Sequence, residues 1–285
     1  MFLSDLKIEY PELPVVEHRE EFFELLEKHQ VIIVKADTGS GKSTQLPKFL
    51  LEWFLEKVDS RKSEVGSDGE CHSETPKTCN LKPNTCSFKI GVTEPRRLAA
   101  ISIADRLREE LKDEELVSTK IRFWEQGTNE APIKVMTDGI LLQEFRKDRL
   151  FRQYNAIMID EAHERSLNID ILLGIFKTVL SRRPDFKLIV ASATLDAKLF
   201  EEFYDNSCVM EAEGRTYPVD VEYYFSDTRT GGALQTRDER GFGRDISGKG
   251  DSGLIEEARD AILDLETRHC DHLLCFLPTE RDIQD

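Results

Sequence analysis

Residues Ala36-Asp37-Thr38-Gly39-Ser40-Gly41-Lys42-Ser43-Thr44 follow the apolar run Val31-Ile32-Ile33-Val34 and precede a helical pattern. A strand, a glycine-rich turn and a helix in that order make a phosphate cradle. The glycines let backbone N–H groups approach the anion, and the helix N-terminus adds positive potential. In such a cradle Lys42 reaches the β- and γ-phosphates, and the Ser43 hydroxyl holds Mg²⁺. The first glycine of the usual Gly-x-x-x-x-Gly-Lys-[Ser/Thr] spacing is Ala36 here, which is tolerable only if that position keeps a negative φ. The competing reading is a glycine-rich helix-capping loop that binds nothing.

A second constellation lies downstream. Ala156-Ile157-Met158-Ile159 delivers Asp160-Glu161-Ala162-His163 at the carboxyl end of an apolar strand, where ligands sit in open α/β sheets. Two adjacent carboxylates there divide the labour. Asp160 binds Mg²⁺, usually through water, and Glu161, beside the metal, polarises the attacking water as general base. His163 is placed to sense the state of the site. Alone, an Asp-Glu pair reads more simply as a charged helix N-terminus favoured by the dipole; the phosphate loop upstream reverses that preference.

The elements that must position these groups are legible as an alternation. Candidate strands are Val31–Val34, Lys89–Val92, Ile133–Met136, Ala156–Ile159 and Lys187–Ala191. The helical patterns that follow them are Gln45–Glu56, Leu98–Leu111, Ile140–Asp148, Ile169–Leu180 and Leu199–Tyr204. This predicts an α/β fold, a parallel sheet covered by helices on both faces. Two polar stretches interrupt it: about 57–88, read as an exposed insertion, and 226–253, whose seven glycines mark a flexible linker and a domain boundary. Beyond it, Leu254–Leu265 reads as a helix and Leu273–Leu277 as one buried strand.

Composition bounds the answer further. At roughly 150 residues per domain, 285 residues give a prior of about two domains, and one complete domain plus part of another fits as well. Hydrophobic residues at 39% and charged residues at 33% exclude wholesale disorder, collagen and coiled coil. No apolar run is long enough to span a membrane, and Met1–Lys7 lacks the core of a signal peptide, so the expected location is cytoplasmic. The six cysteines do not form a secreted disulfide pattern. Cys71-His72, Cys79 and Cys86 lack the Cys-x-x-Cys pairing of ordinary zinc sites. With 39 Lys and Arg against 55 Asp and Glu, the net charge of −16 leaves nucleic-acid contacts to local basic clusters.

Taken in order, the phosphate loop, Thr93-Glu94-Pro95-Arg96-Arg97-Leu98-Ala99-Ala100, Thr137-Asp138-Gly139-Ile140-Leu141-Leu142, Asp160-Glu161-Ala162-His163-Glu164-Arg165-Ser166 and Ser192-Ala193-Thr194 follow helicase motifs I, Ia, Ib, II and III. The sequence resembles the DEAH-box RNA helicases of superfamily 2, most closely their bacterial HrpA-type branch. Gly214–Val219 and Phe276–Ile283 support the resemblance, which covers nearly everything except the two polar stretches.

The resemblance implies an RecA-like ATP-binding domain over 1–225, a linker over 226–253 and the start of a second RecA-like domain over 254–285. It implies ATP, with other NTPs admitted, and Mg²⁺ as cofactors, and single-stranded or structured RNA as partner. Arg106 matches the arginine that stacks on the nucleotide base, although a surface arginine paired with a nearby Glu explains it as well. Arg96 and Arg97 match residues at the RNA backbone, and the Thr137-Asp138-Gly139 turn offers a hydroxyl and N–H groups to phosphates. Ser192 and Thr194 match the link between hydrolysis and domain movement, while helix capping by small residues is their structural alternative. The family's later motifs, with the arginines that reach the γ-phosphate, are not in the chain. The expectation is therefore a truncated or split helicase that hydrolyses poorly alone, its second RecA-like half supplied by a downstream region or a separate chain. The alternative is a catalytically incomplete nucleotide- and RNA-binding scaffold.

Overall fold

A computed structural model describes residues 6–64, 88–194, 200, 202–212, 224–225, 235–236, 252–267 and 273–277. The chain divides into two compact units, Met1–Thr216 and Tyr217–Asp285.

Among the described residues the first unit has eight strands: β1 Val31–Ala36, β2 Ile90–Glu94, β3 Val117–Ile121, β4 Trp124–Gln126, β5 Ile133–Thr137, β6 Ala156–Ile159, β7 Lys187–Ser192 and β8 Ser207–Ala212. Their order is β4-β3-β5-β2-β6-β7-β1-β8, and every pairing is parallel except β3 with β4. Parallel strands buried on both faces need apolar residues at odd and even positions alike, and the strands supply them. Ile32 and Val34 of β1, Met158 of β6 and Ile189 of β7 enter one core. Val31, Ile33, Ile157, Ile159, Leu188 and Val190 enter the other.

Helices cover both faces. On the first lie α1 Pro14–Glu17, α2 Arg19–Lys28, α3 Lys42–Glu64 and α4 Arg97–Leu111. They contribute Phe22, Leu26, Phe49, Leu50, Ala104 and Leu107 to that core. On the second lie α5 Asp138–Lys147 and α6 Leu167–Arg182, whose Leu141, Leu172 and Phe176 meet the opposite side of the sheet. The expected α/β architecture is present. The sheet is mixed at one margin, however, because the short strand β4 runs antiparallel to β3.

Several boundaries differ from expectation. The helix anticipated to stop at Glu56 continues to Glu64, eight residues into the stretch read as an insertion. Glu56, Lys57, Arg61, Lys62 and Glu64 are good helix formers, so a polar run there does not end the helix, and Lys57 is held by Glu27 at 2.6 Å. Residues 65–87, with Cys71, His72, Cys79 and Cys86, lie outside the described residues, as do most of 226–253, Gly214–Val219 and Pro278–Ile283. Of Leu199–Tyr204, residues 200, 202 and 203 are helical.

In the second unit, Tyr224–Phe225 (β9) pairs antiparallel with Gln235–Thr236 (β10), and α7 spans Ser252–Thr267, starting inside the expected linker. The Leu273–Leu277 run is not the buried strand expected. It has no regular structure, and Leu274 and Phe276 are 77% and 86% exposed. An apolar run becomes a buried strand only when neighbours pair with both of its edges, and no described strand pairs with this one.

Candidate active site

Because β1, β2, β5, β6 and β7 run parallel, their carboxyl ends share one edge of the sheet, and the motif residues collect there. Ala36 ends β1 opposite Ala212 and is absent from the positive-φ residues, so alanine in place of the first motif glycine costs the loop nothing. Gly39 and Gly41 do adopt positive φ, +83° and +92°. A Cβ on Gly41 would meet Leu13 Cδ1 at 2.7 Å and Gln45 Cγ at 3.3 Å, whereas one on Gly39 would meet nothing within 4 Å. Asp37 and Thr38 are exposed, Ser43 and Thr44 half-buried, and the Ser40 hydroxyl is buried without a hydrogen-bond partner.

Lys42 opens α3 with its side chain 5% exposed and its Nζ 3.4 Å from Glu161 Oε1. Glu161 belongs to the loop after β6, so this pair ties the ends of two strands that are not neighbours in the sheet. Asp160 is fully buried. Its Oδ1 accepts the Glu161 N–H at 2.8 Å, and its Oδ2 has no hydrogen-bond partner. Burial pushes its carboxyl above the usual range, against the pull of the Ser43 hydroxyl and the Lys42 charge. The next turn is tightly wound: a 3₁₀ turn over Ala162–Glu164 lies between Glu161 (φ +50°) and Arg165 (φ +47°), both left-handed and neither a glycine. His163 Nδ1 sits 3.1 Å from Glu161 Oε2.

Glu94, at the end of β2 beside β6, is a member of this cluster that the sequence reading did not single out. It is 1% exposed, one oxygen is unpartnered, and burial together with the Asp160 charge pushes its carboxyl up to about 10. The signal was available in an acid closing a strand whose other residues carry no charge, as Asp160 follows Ala156–Ile159. Asp138 also faces inward. It is 3% exposed and burial raises it to about 6, so the turn expected to meet RNA presents Thr137 and Gly139, half-buried, while the Asp138 carboxyl is withdrawn. Among the described residues no three His, Cys, Asp or Glu side chains are arranged to hold a metal by themselves. Mg²⁺ commonly takes one or two protein oxygens and completes its shell with phosphate and water, and the unpartnered Asp160 Oδ2 beside Ser43 fits that pattern.

The outer rim is basic and aromatic. Arg96 is 77% exposed with Nη2 3.1 Å from Glu164 Oε1. The Arg97 guanidinium points to the Arg122 carbonyl, 3.5 Å away. That carbonyl belongs to the β3–β4 turn, which the sequence reading missed altogether. There Phe123 is 89% exposed at φ +67°, with the Arg122 guanidinium 4.8 Å from its ring centre. The dipeptide Arg122-Phe123, an arginine beside an aromatic, was the available signal. Ser192 is fully buried at the end of β7, its hydroxyl accepting the N–H of the exposed Thr194 at 3.4 Å. Arg106 bonds Glu110 at 2.7 Å and Glu109 at 3.0 Å, so the surface ion pair left open by the sequence is formed. A cavity of about 340 Å³ between α5 and α6 contains none of these residues.

A sequence model of the DEAD/DEAH box helicase family matches residues 17–203. The ATP-dependent RNA helicase HrpA of Escherichia coli K12 is 39% identical over 285 residues, covering 98% of this chain and 18% of that protein. The HrpA homolog of Haemophilus influenzae is 38% identical over 282 residues, covering 98% of this chain and 18% of that protein. HrpA of Borreliella burgdorferi is 41% identical over 213 residues, 74% of this chain and 22% of that protein. The chain thus spans less than a quarter of the length of the curated relatives it matches.

Proposed function

The chain belongs to the DEAD/DEAH box helicase family, and from that premise we propose that it is the ATP-binding portion of an RNA helicase, hydrolysing NTP with Mg²⁺ to move along or unwind RNA. The eight-stranded, mostly parallel sheet with helices on both faces is the RecA-like α/β domain of that family. One observation carries the activity: the phosphate-loop lysine and the second motif-II carboxylate meet at 3.4 Å, over a buried Asp160 with a free oxygen.

Each residue has a task in this reading. Glycines 39 and 41 turn N–H groups towards a triphosphate, which Lys42 neutralises. A triphosphate entering the loop competes with Glu161 for Lys42, and so frees the Glu161 carboxylate to take a proton from water. Ser43 and Asp160 would hold Mg²⁺, with Glu161 alongside, and the ion would supply positive charge against the phosphates. Arg106 stacks on the base. Arg96, Arg97 and the Thr137–Gly139 turn hold the RNA backbone without reading its sequence, and Arg122 with Phe123 adds a stacking surface to that track. Ser192 and Thr194 relay hydrolysis to domain movement. A second RecA-like domain, in the same protein or on another chain, supplies the arginine at the γ-phosphate. A cytoplasmic setting completes the proposal; among the described residues no helix is long and apolar enough to cross a membrane.

The test is phosphate release from Mg-ATP with and without single-stranded RNA, run beside Glu161→Gln and a labelled-nucleotide binding assay. Nucleotide binding that survives Glu161→Gln, with little phosphate release from the chain alone, is the expected outcome; RNA-stimulated release that Glu161→Gln abolishes would show that the chain completes its own site without a second half. Absence of nucleotide binding in the unmodified chain overturns the reading.

A further inference from the structure

Arg106 stands on α4 at the surface, 55% exposed, yet it is wired to the phosphate loop. Its Nε donates to Glu110 Oε1 at 2.7 Å and its Nη1 to Glu109 Oε2 at 3.0 Å. Glu110 is nearly buried, and its other oxygen accepts from Lys48 Nζ at 2.9 Å and Gln45 Nε2 at 3.0 Å. Gln45 Nε2 in turn lies 2.8 Å from Thr44 Oγ1, at the end of the loop. Lys48, fully buried, completes the junction with bonds to the Glu9 carbonyl at 2.6 Å and Gln45 Oε1 at 3.0 Å. Although burial works against it, the hydrogen bonds from Gln45 and Lys48 and the neighbouring positive charges hold the Glu110 carboxyl below its usual range.

This arrangement exceeds what a surface ion pair needs. Hydrogen bonds to carboxylates lie in the plane of a guanidinium and leave its two faces open, which is the geometry that stacks on a flat ring. A free arginine loses rotamer freedom when it stacks; one already pinned at two nitrogens has little left to lose. The anchor is itself bound to helix α3, which begins at Lys42, so the arginine and the phosphate site keep a fixed separation.

We propose that Glu110 is a positioning residue of the nucleotide site: it holds Arg106 at a set distance from the phosphate loop, so that the open guanidinium face meets the base of a nucleoside triphosphate seated at Lys42. This rests on the reading of Arg106 as the base-stacking group. It predicts that Glu110 governs the part of the affinity that depends on the base and leaves the part that depends on the triphosphate alone.

The whole chain is titrated in Mg²⁺ with ATP and, separately, with inorganic tripolyphosphate, which has no base. In Glu110→Gln the amide oxygen still accepts from Lys48 and Gln45, while the amide NH₂ is presented to Arg106, donor against donor. Glu110→Gln and Arg106→Ala are each expected to lower ATP affinity about tenfold, the scale of one lost stacking contact, with tripolyphosphate unchanged and the double variant no worse than either single one. If Arg106→Ala lowers ATP affinity and Glu110→Gln does not, the positioning role is overturned while the arginine reading stands. If Arg106→Ala changes nothing, the arginine reading fails and the proposal with it. An equal loss for ATP and tripolyphosphate in Glu110→Gln assigns Glu110 to the loop or the fold and also overturns the proposal. Where Glu110→Gln melts early, the same ratio is read in a Lys48→Met background, which removes the buried charge left without its partner.

Discussion

Arg96 and Glu164 form an ion pair at 3.1 Å, joining the loop after β2 to the turn that carries Glu161. A residue proposed for the RNA track thereby touches the element that holds the carboxylate proposed as general base. Arg96→Ala is expected to weaken binding of single-stranded RNA at all sequences alike and to reduce the salt slope by about 1, the signature of one lost phosphate contact. Because Arg96 is exposed, thermal stability should change by less than about 1 kcal/mol. Anisotropy titrations over a salt series read both properties; an unchanged slope removes Arg96 from the track.

Lys42 balances two negative groups, Asp160 and Glu161. Lys42→Ala should lower Mg-ATP affinity about 10- to 100-fold, the range of a hydrogen bond to a charged group. Calorimetric titration measures it. Binding within twofold of the unmodified chain would show that the lysine does not touch phosphate.

The two loop glycines separate backbone strain from crowding. Gly39→Ala meets only the left-handed backbone penalty, about 1–2 kcal/mol. At Gly41 the same penalty is joined by a 2.7 Å contact with Leu13 Cδ1, so Gly41→Ala should cost roughly 1–3 kcal/mol more and should also impair nucleotide binding. Denaturant melts of the two variants decide the order, and equal losses would contradict it.

Two buried acids give stability a pH dependence of known sign. Glu94 titrates at about 10 against 4.5 for the ordinary group, and Asp138 at about 6 against 3.8. The folded chain therefore keeps protons that the unfolded chain releases. Stability from this source is complete below about pH 4 and is lost as pH rises, through 6 for Asp138 and towards 10 for Glu94. Glu94→Gln should raise the melting temperature by a few degrees at pH 8 and by less at pH 5. A melting difference between variant and parent that does not grow with pH would contradict an uncharged Glu94.

Most of the site's framework was legible in the sequence because chemistry and periodicity coincide there. Val31–Val34 and Ala156–Ile159 are apolar at every position, as doubly covered strands must be, and each ends in its functional loop. The rest depended on partners distant in the chain. In β3, Ser118 and Thr119 occupy buried positions, which reads as loop until Arg108 is seen bonding Thr119 Oγ1 at 2.6 Å. Glu94 meets Asp160 only through the pairing of β2 with β6. Leu273–Leu277 shows the converse: composition alone suggested burial that the described neighbours do not provide.

The left-handed conformations at Glu161 and Arg165 set this turn against protein engineering for robustness. Glycine or asparagine at position 161 relaxes the backbone at the expense of the carboxylate, so a library selected on heat resistance alone will enrich such substitutions and lose turnover first. Position 165 carries no such conflict in the proposed chemistry. It is the place to harden the turn, with the Arg165–Asp170 ion pair given up.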